Sequence, residues 1–265
     1  MTEDIPSDTP ALVRLALVDE IAVITLDSQH NRNALSQRLV SELDAAITDA
    51  EAVDARAIVL RHEGPAFCAG ADLKERSSGS ASARDGAPFV SVMSRLMDTA
   101  RPTIAAVNGA VRAGGIGLMA SCDLVVVHQS VSFALTEVRI GVAPAMISVP
   151  ILRRVQPSQI AAAFLTGEAF DATEARSIGL VSHVTDDVEA TVAELTYGIR
   201  CGAKRAVAET KAMLTRVPNL DRVTAFAQMT ELSNELFASD DAAEGMAAFR
   251  DKRRPAWHPD AERLD

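Results

Sequence analysis

The chain has 265 residues, 48% of them hydrophobic and 23% charged, which suits one sizeable globular domain or one domain with an appendage. A formal net charge of −10 argues against a general nucleic-acid or anionic-membrane surface, while leaving room for a local basic pocket that holds an anionic ligand. Cys68, Cys122 and Cys201 are far apart and form no C-x-x-C pair, no apolar run reaches the ~18 residues of a membrane span, and the acidic N-terminal stretch has no signal-peptide core. The default reading is a soluble cytoplasmic protein with no disulfide framework, no metal site and no membrane or nucleic-acid partner.

In chain order, residues 1–10 read as a loose tail. Val13–Leu17 and Ile21–Leu26 read as a strand hairpin. A polar loop, S-Q-H-N-R-N, precedes Ala34–Ala52, whose apolar residues Leu35, Leu39, Leu43, Ala46 and Ile47 have helical spacing. Ala57–Leu60 is a buried-type strand running into a loop with glycines at 64 and 70. Residues 77–88 are small and polar and read as a mobile surface loop. Phe89–Thr99 is an amphipathic helix ended by Arg101-Pro102, and Ile104–Val107 is the next strand.

Leu124–His128 is a further strand, and Phe133 and Leu135 alternate towards Glu137. Ile140–Pro144 is a turn, Ile147–Val155, Ser158–Thr166 and Thr173–Ile178 read as helices, and Leu180–Val184 as a strand. From Val188 the pattern is helical to Arg254, with breaks near Gly202, Pro218 and Ser239-Asp240. The organisation is therefore a tail over 1–10, an α/β core over 11–187 and a helical region over 188–265. Strands and helices recur in a strand–strand–helix rhythm that suggests stacked turns rather than a simple open sheet.

Ala105 to Asp123 reads as an apolar strand, a tight turn with Gly114, Gly115 and Gly117, and an apolar helix. Glycine there permits positive φ and close approach to bare N–H groups at a helix start, a setting that suits developing negative charge. Gly115 to Ala120 matches G-x-G-x-x-A, but the match lies mid-chain and the strand after its helix ends near His128 without an acidic residue for a ribose. Tight packing of helix on strand also accounts for these glycines. A second glycine loop, F-C-A-G-A-D-L-K-E at 67–75, likewise follows a buried strand and opens towards a helix. Two such loops can each donate one backbone N–H to a single oxygen, each donor contributing on the order of 3 kcal/mol to an oxyanion or enolate.

These two loops, with N-R-N-A-L near residue 33, F-L-T-G-E-x-F-D-A-x-E-A at 164–175, G-L-V at 179–181 and E-G-M-x-A-F-R-D-K-R at 244–253, closely resemble the crotonase superfamily, the enoyl-CoA hydratase/isomerase group, over nearly the whole chain. The resemblance implies a core of stacked ββα turns in a spiral and a helical C-terminal trimerisation region, giving trimers or hexamers made of two trimers. It implies an acyl-CoA thioester substrate whose carbonyl oxygen is held by the N–H groups of Ala71 and Gly114. No cofactor is implied beyond the coenzyme A of the substrate itself. For the CoA portion it points to Ala69 and its loop neighbours Asp72, Leu73 and Lys74, and to Phe249 and Lys252 of the last helix, usually supplied by a neighbouring subunit. Asp72 and Asp123 also read as turn or helix-cap residues, and Cys68 and Cys122 as packed small residues. His30, His62, His128 and His183 show no ligand spacing, so no metal is implied.

Hydratases of this family use two glutamates. Glu137 matches one, but Gly117 stands where the other belongs, three residues after Gly114. Two carboxylates serve both proton movements of water addition, whereas one suffices to carry a proton between carbons. The expected activity is hydration of 2-enoyl-CoA with a single catalytic glutamate. The alternatives are 3,2-enoyl-CoA isomerisation by Glu137, or acyl-CoA binding with little catalysis. Glu137 also has a bland reading, an ordinary surface pair with Arg139. Met146 and Ile147, where the family often has a glycine-rich run, either reshape the acyl pocket or form ordinary core. Arg112 either meets a polar acyl substituent or faces solvent.

Overall fold

The computed structural model describes residues 10–77 and 85–261. All but residue 10 of the expected tail over 1–10, and most of the expected mobile loop over 77–88, lie outside those residues. Among the described residues the strands form two sheets. The larger has the order β1-β2-β3-β5-β7-β10, with β1 Val13–Val18, β2 Ile21–Leu26, β3 Ala57–His62, β5 Thr103–Val107, β7 Leu124–His128 and β10 His183–Thr185. The smaller has the order β4-β6-β8-β9, with β4 Ala66–Cys68, β6 Ala110–Arg112, β8 Ser132–Ala134 and β9 Ala169–Asp171.

The β1–β2 hairpin is antiparallel and the rest of the larger sheet is parallel. A parallel sheet is buried on both faces, which explains the near-continuous apolar runs. Alternation along β3 shows it: Ile58 and Leu60 enter the main core, while Ala57 and Val59 enter a second cluster with Val188 and Val192. The main core is closed from the other side by helix α1 (Gln37–Ala52), whose Leu39, Leu43 and Ile47 are fully buried at the predicted helical spacing. Ser36 caps this helix by accepting from the Leu39 N–H at 3.2 Å.

Each strand of one sheet hands the chain directly to the other: β3 runs into β4, β5 into β6 and β7 into β8, each pair separated by a short turn. A helix or helical turn follows each pair. After β4 come α2 (Leu73–Ser77) and α3 (Ala87–Asp98), after β6 comes α4 (Gly114–Ala120), and after β8 a 3-10 turn (Thr136–Ile140) and α5 (Ala145–Leu152). These are the stacked ββα turns that the strand–strand–helix rhythm suggested. The chain then continues through α6 (Pro157–Thr166), β9, α7 (Ala172–Ser177) and β10 into α8 (Val188–Arg200), α9 (Lys204–Arg216), α10 (Arg222–Phe237) and α11 (Asp240–Arg250). The last strand lies at His183–Thr185 instead of 180–184, because Leu180 and Val181 are spent as buried core residues in the turn before it.

The C-terminal helices are uneven in how they pack. Lys211 of α9 is 8% exposed and pairs with Asp123 at 2.8 Å, while donating to the Leu96 and Arg101 carbonyls. Asp123 in turn accepts from the Thr103 N–H and hydroxyl, so it ties α9 to the sheet as well as ending the turn after α4. By contrast α10 buries none of its residues, and Val223, Phe226, Phe237 and Phe249 stand exposed in the single chain.

Candidate active site

The strands β4, β6 and β8 are parallel neighbours in register, Cys68 beside Val111 and Val111 beside Phe133. Their carboxyl ends therefore share one edge, the edge at which α/β sheets place ligands. Ala71 lies three residues past β4, Gly114 two past β6, and Glu137 three past β8. All three line one cavity of about 850 Å³, within the size range of small-molecule sites. Ala69 and Leu73 line it too.

The backbone leaves the two expected donors unused. Beside Ala71 the chain pairs with Leu35: the Leu35 N–H donates to the Gly70 carbonyl at 2.8 Å, and the Asp72 N–H to the Leu35 carbonyl at 3.4 Å. That pattern engages both neighbours of Ala71 and not its own N–H. Gly114 opens α4, where a helix has no internal acceptor for its first N–H groups.

The glycines of this turn act differently from the expectation. None of Gly114, Gly115 and Gly117 takes positive φ, and the left-handed position falls on Ala113, at φ +48°. What the glycines permit is close approach. A Cβ on Gly115 would lie 2.7 Å from the Cys68 Cβ. Positive φ is used in the other loop, at Gly70 (φ +91°), where a side chain would meet the Ala113 methyl at 2.9 Å. The two donor loops thus touch, Gly70 against Ala113.

Glu137 sits in the 3-10 turn rather than on a strand. Its Oε2 is buried and has no hydrogen-bond partner among the described residues. Burial pushes its carboxyl above the usual carboxylate range, opposed by a hydrogen bond from its own backbone. The surface pair with Arg139 does not form, since Arg139 Nε donates instead to the Thr166 carbonyl at 2.9 Å. A partly desolvated carboxylate with one unpartnered oxygen, lining the same cavity as two unused N–H donors, suits proton transfer.

Gly117 packs against a hydrocarbon side chain. A Cβ there would lie 2.3 Å from Ile147 Cγ2 and 2.5 Å from its Cβ, so the seat is filled by hydrocarbon. Ile147 is 3% exposed and lines the cavity with Met146, so both belong to the cavity wall and Ile147 to the core as well.

The remaining predicted residues divide. Asp72 caps α2, accepting from the Lys74 and Glu75 N–H groups at 3.0 and 3.2 Å and from Asn31 at 3.2 Å; its carboxyl is held below the ordinary range despite partial burial. Neither Asp72 nor Lys74 lines the cavity, and Phe249 and Lys252 lie on the far C-terminal helix and the turn after it, also away from the cavity of the same chain. Phe249 is 87% exposed. Arg112 is taken up structurally, donating to the Val111 and Ser132 carbonyls and to the Ser132 hydroxyl. Burial pushes the Cys68 and Cys122 thiols up to about 12, as befits packed residues. Among the described residues no cluster of His, Cys, Asp or Glu is set to hold a metal, and no helix is long and apolar enough to cross a membrane.

Two contributors escaped the sequence reading. Arg154 donates to the Ala120, Cys122 and Asp123 carbonyls, closing the C-terminal end of α4 behind the donor turn. Arg76, on α2, lines the cavity. Neither carries a local motif; Arg76's only signal is a charge one helical turn beyond the A-G-A-D loop.

A family model for enoyl-CoA hydratase/isomerase matches residues 18–260. The rat mitochondrial enoyl-CoA hydratase domain-containing protein 3 is 33% identical over 261 residues, covering 95% of this chain and 86% of that protein. Among solved structures, an enoyl-CoA hydratase of Mycobacterium smegmatis superposes with a TM-score of 0.87 at 31% identity, covering 93% of this chain and 99% of that one. The human enoyl-CoA hydratase domain-containing protein 3 gives 0.88 at 30% identity, covering 93% and 100%.

Proposed function

The chain belongs to the enoyl-CoA hydratase/isomerase family, with the crotonase fold, and on that premise we propose an acyl-CoA enzyme of the enoyl-CoA hydratase type that works with Glu137 as its single catalytic carboxylate. The observation that carries the reading is the buried, partnerless Oε2 of Glu137 in the same cavity as the unused N–H groups of Ala71 and Gly114. Those N–H groups hold the thioester oxygen of a 2-enoyl-CoA. Glu137 takes a proton from water as the hydroxyl bonds to C3, and the electron pair moves through C2 onto the held oxygen. The enolate then collapses, and the proton on Glu137 passes to C2. One molecule of water is consumed and the carboxylate is returned.

A second reading, 3,2-enoyl-CoA isomerisation, is favoured by the hydrocarbon over Gly117. Here Glu137 removes a C2 proton from a 3-enoyl-CoA and returns it at C4, with the same enolate oxygen on the same donors. No cofactor enters either reaction beyond the CoA of the substrate. The apolar residues of α10 and α11 that stand bare in one chain suit a trimer or a pair of trimers, in which Phe249 and Lys252 reach a neighbour's CoA. Steady-state assay with 2-enoyl-CoA and 3-enoyl-CoA substrates separates the reactions. If neither is turned over, and Glu137→Gln alters nothing on any acyl-CoA, the catalytic assignment is wrong.

A further inference from the structure

We propose that Arg76 binds a carboxylate at the far end of the acyl group, which makes the substrate class the CoA monothioester of a short unsaturated dicarboxylic acid. This rests on the acyl-CoA reading above and deepens it.

Five charged residues line the cavity: Asp44, Glu75, Arg76, Asp85 and Glu137. Three of the carboxylates already have partners. Asp44 pairs with Arg95 at 2.8 Å, Glu75 accepts from the Gln37 N–H at 2.9 Å, and Asp85 accepts from the Ala87 N–H at 2.9 Å. The last two sit at the starts of α1 and α3, where helix ends favour negative charge. Glu137 serves the chemistry. Arg76 alone of the five has an unassigned charge: it is half-buried, and among the described residues its guanidinium makes no hydrogen bond and no ion pair. A guanidinium presents a fork of N–H donors matched to a carboxylate, and one left empty on a ligand cavity is a binding site for such a group.

Its place fits a short chain. Arg76 lies on the helix that opens just past Ala71, five residues after it, and both line the same cavity. Between the two ends of such a ligand, Phe89, Ile140, Val142, Met146 and Ile147 supply an apolar wall for the carbons.

The departure at Gly117 points the same way. A second carboxylate beside an anionic acyl group would repel it, and Ile147 puts hydrocarbon in that seat. The substitution that weakens the case for ordinary hydratase machinery removes one negative charge from the neighbourhood of a negatively charged substrate.

The test compares two ligands of equal length, the CoA monothioester of pent-2-enedioic acid and pent-2-enoyl-CoA, on wild type and Arg76→Gln. Wild type should prefer the diacid. The variant should lose about 10- to 100-fold in kcat/KM on the diacid, the range of a charge-assisted pair, and stay within about twofold on the neutral substrate. Equal losses on both substrates would assign Arg76 to the CoA phosphates and overturn the proposal, as would no loss on either. Calorimetry with the unreactive saturated pair, glutaryl-CoA and pentanoyl-CoA, reads Arg76 without catalysis. A diacid preference that disappears in Arg76→Gln upholds this inference even if the wild type turns over nothing, and turnover without any such preference sinks the inference while leaving the acyl-CoA reading intact.

Discussion

Residues 117 and 137 are the two positions at which the family resemblance places a glutamate, and their surroundings are opposite. Residue 137 follows β8 into a 3-10 turn where the Glu137 Oε2 is buried with no partner among the described residues. Residue 117 is on α4 directly beneath α5, and the Ile147 side chain occupies the volume any side chain would need. The two helices touch because glycine lets them. The difference teaches that the departure at 117 is not a vacancy left by a lost glutamate. It is a packed contact, in which the helix that Gly114 opens leans on the helix that walls the cavity.

The sharpest way to break this comparison is Glu137→Gln. Removing a positioned proton-transfer group costs typically 10²- to 10⁴-fold, so kcat on the preferred enoyl-CoA should fall by that much. An unchanged kcat would mean that the two positions do not differ in chemistry. The next effect is on stability. Gly117→Glu forces a side chain into Ile147 and buries a charge, which should destabilise the fold by about 1–3 kcal/mol and lower Tm by several degrees. Adding Ile147→Gly to that variant should recover part of the loss in a thermal melt. If Gly117→Glu alone melts like wild type, the seat is not filled as described.

A smaller effect concerns pH. Burial raises the Glu137 carboxyl in the folded chain above its unfolded value, so the ionised form opposes folding. The neutral acid's advantage is fully present below the unfolded value and is lost as pH rises through the folded one. Glu137→Gln should therefore melt higher than wild type at neutral pH, with the difference closing in acid below the ordinary glutamate range. The same shift places the acid limb of kcat/KM above that of an ordinary carboxylate, since the base works only when ionised. A melt difference independent of pH would contradict the buried carboxylate.

Much of this was legible along the chain. The hairpin, the helix of Leu39, Leu43 and Ile47, and the buried strand of Ile58 and Leu60 follow from period and burial, because one helix face and two sheet faces demand apolar residues at fixed spacings. Ala71, Gly114 and Glu137 stand in recognisable stretches, and the parallel pairing of β4, β6 and β8 brings their sequels to one edge. The reason for the glycines was not legible. Gly117 and Gly115 answer to Ile147 and Cys68, residues 30 and 47 positions away, and the strained backbone falls on Ala113, which no glycine pattern marks.

By itself, then, the sequence determined the order of strands and helices and the family, and it marked Ala71, Gly114 and Glu137 as candidates, since local periodicity and short motifs carry that information. Tertiary structure decided the rest. It left the Glu137 Oε2 without a partner among the described residues, turned Arg112 into a brace for β8, sealed Gly117 with Ile147 and brought Arg76 to the cavity. Whether a charge is spent or free depends on what packs beside it, and contacts between residues far apart in the chain leave no trace in local spacing.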